Sequence, residues 1–119
     1  MSKQKLGEYF QYVRRAALLV KPKQPFFDWL IKLDPEDENL LEETIEGDMY
    51  LLPDLQGRKE IERWLRKHFD EFFSEQLFGW YTDETCWVKN RTYKMFTEWF
   101  EISFCTMVWD SVEGAIEKE

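Results

Sequence analysis

The stretch from Gly57 to Leu77 keeps one helical period without a break. Ile61, Trp64, Leu65, His68, Phe69, Phe72, Phe73 and Leu77 recur three and four residues apart and make one ring-rich stripe. Lys59, Arg63, Arg66 and Lys67 fall outside it, and Gly79 ends the segment. A long helix with one apolar face needs a second layer to bury that face against.

The C-terminal half supplies a different period. Phe100, Ile102, Phe104, Thr106 and Val108 alternate with Glu101, Ser103, Cys105, Met107 and Trp109, which is strand patterning. Thr85–Val88 and Met49–Leu52 also read as strands. Residues 92–99 fit helix and strand equally poorly. Ahead of these, Leu6, Tyr9, Phe10, Val13, Ala16, Ala17 and Val20 fall at helical spacing, and Pro22 and Pro25 stop that segment. A short helix is expected from Pro25 to Leu33. Another is expected from Asp34, with Asp34 as N-cap, Pro35 in the first turn, Leu40, Leu41, Thr44 and Ile45 inward, and Gly47 as the stop. Asp110-Ser111-Val112-Glu113 resembles a capping box and predicts a last short helix. The expected class is α+β: a single domain over 1–119, with a small antiparallel sheet packed on three or four helices. That sheet comes from the C-terminal half plus a short strand near 49–52.

Composition supports a packed domain. The 119 residues include ten Phe, six Trp and five Tyr but only five Gly and four Pro, so large rings are available for a core and low-complexity linkers are not expected. The opening Met1–Glu8 has no continuous apolar run of the kind a secretion leader needs, and nothing approaches the roughly 18 apolar residues of a membrane span. With two cysteines and no C-x-x-C, a reduced, cytoplasmic protein is expected.

Charge gives the clearest functional pointer. Asp34, Glu36, Asp37, Glu38, Glu42, Glu43, Glu46, Asp48 and Asp54 are nine carboxylates in the 34–54 segment, which holds no Lys, Arg or His, against a net charge of -8 for the chain. A field of one sign steers partners of the other. Helix-dipole pairing accounts for Glu36, Asp37 and Glu38 but not for Glu42, Glu43, Glu46 and Asp48. The acidic balance argues against nucleic acid, whose binding rests on Lys and Arg.

Chemical motifs are sparse. His68 is the only histidine, which excludes multi-histidine metal sites, and its His-x-x-Glu order reverses that of carboxylate-bridged metal helices. The acids after Asp34 fail the calcium-loop pattern, because position 6 is Asn39 and position 12 is Ile45. No metal or cofactor is therefore expected. Glu98 and Glu101, set among rings, are the best carboxylates for acid–base work. Cys86 has Lys89 and Arg91 close in sequence, a weak basis for a reactive thiol.

The primary expectation is a small acidic interaction protein, of inhibitor, adaptor or immunity type, meeting a basic protein partner through Glu36, Asp37, Glu38, Glu42, Glu43, Glu46 and Asp48. The alternative is a small-ligand domain with an aromatic pocket or interface at Trp64, Trp87, Trp99 and Trp109. An enzyme built on carboxylates or His68 comes third. Met107 and Trp109, on the outer side of their strand, are suited to a homodimer interface or a ligand groove.

Overall fold

The computed structural model describes residues 7–36 and 46–119. Among them are strands β1 (Gln11–Val13) and β2 (Ala16–Pro22), helix α1 (Gln24–Leu33), strand β3 (Asp48–Leu52), helix α2 (Arg58–Phe78), helix α3 (Tyr93–Trp99), and strands β4 (Phe100–Cys105) and β5 (Val108–Asp110). The strands form two antiparallel sheets, one of order β3-β2-β4 and one pairing β1 with β5. The fold is α+β, as the pattern predicts.

The helix expected at 6–20 is not formed; that segment supplies β1 and the central strand β2. Ala16, Leu18 and Val20 are buried and face the helices, whereas Ala17 and Leu19 lie on the opposite face. Because both faces are apolar, the period-2 signal is hidden, and the same residues satisfy helical spacing. Pairing on both edges decides the outcome, with Leu18 opposite Tyr50 on one side and Phe104 on the other. The short helix before Leu33, the strand at 49–52 and the long helix form as expected. The helix expected after Asp34 lies, apart from its first residues, outside the described residues.

In the C-terminal half two expected elements do not form, and the segment left open at 92–99 takes one of its two readings. The strand expected at 85–88 is a short 3-10 turn, Glu84–Cys86, nucleated by Asp83, whose Oδ1 accepts from the Thr85 amide (3.0 Å) and hydroxyl (2.7 Å). Residues 93–99 are helical, capped by Thr92 Oγ1 accepting from the Met95 amide at 3.1 Å. Asp110 Oδ1 accepts from the Val112 amide at 2.9 Å, but no helix follows. The exposed turns after it have no layer to pack on, and a short isolated helix is not stable in water.

The core lies between the sheet and the helices. Phe100, at the start of β4, is its hub, with ring centroids 5.2 Å from Phe26, 5.3 Å from Phe73 and 5.4 Å from Phe96. Ile61, Leu65 and Leu77 of α2 are also fully buried. Burying each side chain of this kind contributes about 1.5–3 kcal/mol.

Candidate functional site

Strand β3 and the C-terminal end of α2 enclose a cleft of about 710 Å³ lined by Glu46, Asp48, Met49, Tyr50, Glu75, Gln76 and Trp80, with Pro22, Gly47 and Gly79 as backbone walls. None of the described lining residues is basic. Gly47 lets β3 begin close to β2: its φ is +90°, and an added Cβ would stand 2.7 Å from the Val20 carbonyl oxygen.

A polar pair fixes the floor. Gln76 lies on the inward face of α2 and is only 6% exposed. Its Nε2 donates to Asp48 Oδ2 at 2.7 Å and to the Tyr50 hydroxyl at 2.8 Å, so both amide hydrogens are used. Tyr50 packs edge-on against Phe72 at 5.0 Å. Burial raises the Tyr50 phenol above its ordinary value, the Gln76 bond partly offsets this, and the negative charges of Asp48 and Glu75 add to the rise. Tyr50 is therefore held as the neutral phenol.

The electrostatics have one sign. Glu46, Asp48 and Glu75 bring carboxylates to the cleft. The last turn of α2 carries no basic side chain, so the negative end of its dipole is not offset there. Trp80, 39% exposed, adds an indole face beside these acids.

Of the acids expected to bind a partner, Glu46 and Asp48 line this cleft and Glu36 is exposed at the end of α1; Asp37, Glu38, Glu42 and Glu43 lie outside the described residues. Tyr50, Glu75, Gln76 and Trp80 were not singled out by sequence. Gln76 was detectable in principle, as a polar residue four after Phe72 within the apolar stripe of α2.

The tryptophans separate into two groups. Trp64, Trp87 and Trp99 are half-buried against the core. Trp64 stacks on His68 at 4.5 Å, Trp99 packs on Phe73 at 5.5 Å, and Trp87 Nε1 donates to the Tyr81 carbonyl at 2.8 Å. None of the three lines the cleft. Trp109 stands apart on β5, paired with Tyr12 across the small sheet.

The other residues with chemical potential have ordinary surroundings. His68 Nδ1 is 3.4 Å from Glu71 Oε1. Glu98 and Glu101 are exposed, Glu98 3.9 Å from Lys94. Cys86 and Cys105 are unpaired; Cys86 ends the 3-10 turn and Cys105 ends β4. No group of three or more His, Cys, Asp or Glu among the described residues is placed to hold a metal ion, and no helix among them is long and apolar enough to cross a membrane.

The chain matches no protein-family model, and no curated protein or solved structure matches it either.

Proposed function

We propose that this is a small acidic interaction protein that binds a basic partner through the 34–54 region, with the β3–α2 cleft taking a Lys or Arg side chain of that partner. The observation that carries this reading is the single sign of the cleft: among the described residues Glu46, Asp48 and Glu75 line it and no Lys, Arg or His does. A guanidinium or ammonium there meets carboxylates, the uncompensated C-terminal end of α2 and the face of Trp80, each of which favours a cation. The remaining acids of the 34–54 segment extend the attractive field and raise the association rate. Two unpaired cysteines fit a reducing, cytoplasmic setting.

Binding of a Lys/Arg-rich peptide, followed by stopped-flow Trp fluorescence over a salt series, tests this. Association slows with salt, and in the Glu46→Lys/Glu75→Lys double variant it drops about tenfold. Both residues are exposed, so the fold is retained. An association rate indifferent to salt and to this charge reversal overturns the reading.

A further inference from the structure

β1–β2 and β4–β5 form one bent two-stranded ribbon. Val13 pairs with Val108 and Ala17 with Cys105, so four steps on one strand match three on the other. The extra residue is a bulge at Arg14–Arg15, and bulges bend the strand that holds them. On the near side of the bulge, β2 and β4 back onto the core and β3 joins them. On the far side, β1 and β5 pair with each other and with no other strand among the described residues. No residue of β1 or β5 belongs to the core or to the shell packed against it. Yet this outer ribbon carries Tyr12, 41% exposed, and Trp109, 55% exposed, in edge-on contact at 5.6 Å, flanked by exposed Phe10 and Met107. The Tyr12 hydroxyl donates to the Thr106 carbonyl at 3.2 Å, which holds that ring in place.

Two-stranded ribbons alone are at best marginal in water, and among the described residues no third strand joins β1 and β5. Exposed Trp and Tyr are the side chains most often found at the centres of interfaces. The charges identify the occupant. The root of the outer ribbon holds Arg14 and Arg15, both exposed, with no acid among residues 13–17 or 104–108. The tip holds Asp110, with Glu8 just ahead of β1 and Glu113 just after β5 in sequence and no base among residues 7–13 or 108–116. A twofold axis through the Tyr12–Trp109 pair exchanges root and tip. It lays the arginines of one copy against the acids of the other while the rings meet at the centre. A surface with both signs ordered in this way is complementary to itself.

We infer that the outer ribbon is a homodimer interface, in which two copies associate antiparallel about the Tyr12–Trp109 pair.

Sedimentation equilibrium of the full chain tests this. The wild type sediments at twice the single-chain 14.6 kDa. Trp109→Glu weakens the dimer at least about tenfold, with the urea midpoint of the isolated chain unchanged because the ring lies outside the core. Arg14→Glu/Arg15→Glu and Asp110→Lys/Glu113→Lys each weaken it too, and an equal mixture of these two variants recovers the two-chain mass. A monomeric wild type, or a dimer that Trp109→Glu leaves intact, overturns the assignment. Failure of the mixture to recover overturns the antiparallel arrangement.

Discussion

Arg91 and Asp70 meet at two points, with Nε 2.6 Å from Oδ1 and Nη2 3.2 Å from Oδ2. Paired contacts of this kind fix orientation as well as distance. The same guanidinium donates to the Val88 carbonyl at 2.8 Å and to Ser74 Oγ at 3.3 Å, and lies over the rings of Phe73 and Trp87. One side chain thus ties the irregular segment after α2 back onto that helix. Arg91→Ala is expected to lower stability by about 1–3 kcal/mol. Arg91→Lys should lose most of that despite keeping the charge, because an ammonium cannot reproduce the fork. Urea titration of the three proteins decides it; a Lys variant as stable as wild type would mean that charge alone matters.

Phe73 and Phe78 lie five residues apart on one helix in opposite settings. Phe73 is fully buried and touches Phe96, Trp99 and Phe100, whereas Phe78 is exposed. Phe73→Ala should cost about 3–5 kcal/mol, transfer and cavity effects together. Phe78→Ala should stay within about 0.5 kcal/mol. Similar costs at the two sites would place the helix in the wrong rotation about its axis.

Gly47 and Gly57 both have positive φ, at +90° and +95°, but differ in surroundings. An Ala at Gly57 meets nothing within 4 Å and incurs only the backbone strain, about 1–3 kcal/mol. An Ala at Gly47 incurs that strain and also presses on the Val20 carbonyl, so its cost should be the larger. Thermal unfolding of both variants gives the order, and the reverse order would contradict the close approach of β3 to β2.

The raised phenol of Tyr50 makes a pH prediction. Its ionised form is disfavoured in the fold, chiefly by burial. The contribution to stability is therefore fully present below the ordinary value of 10.0 and is lost as pH rises through the higher folded value. Melting temperature should fall more steeply above pH 10 in the wild type than in Tyr50→Phe. Parallel curves would show that Tyr50 ionises as freely in the folded chain as in the unfolded one.

What the sequence disclosed follows from how much of each pattern is local. The long helix and β4 were readable because each has one apolar and one polar face: Phe100, Ile102 and Phe104 alternate with exposed Glu101, Ser103 and Cys105. The central strand was not, because Ala16–Val20 is apolar on both faces and only its two neighbours choose strand over helix. Thr85–Val88 looked β-prone, but the Asp83 carboxylate captured the backbone first. Glu46 and Asp48 were readable as acids. Their convergence with Glu75 and Trp80 was not, since it depends on the end of α2 reaching the start of β3.

Two indoles hold the segment after α2 by its backbone: Trp29 Nε1 donates to the Cys86 carbonyl at 2.9 Å, and Trp87 Nε1 to that of Tyr81. A carbonyl acceptor is present whatever side chain its residue bears, whereas the donor here is an indole that also packs as a large ring, a combination no other side chain offers. Homologous chains should therefore drift freely at position 86 while keeping Trp at 29 and 87, so that a half-exposed cysteine is replaceable where two tryptophans are not.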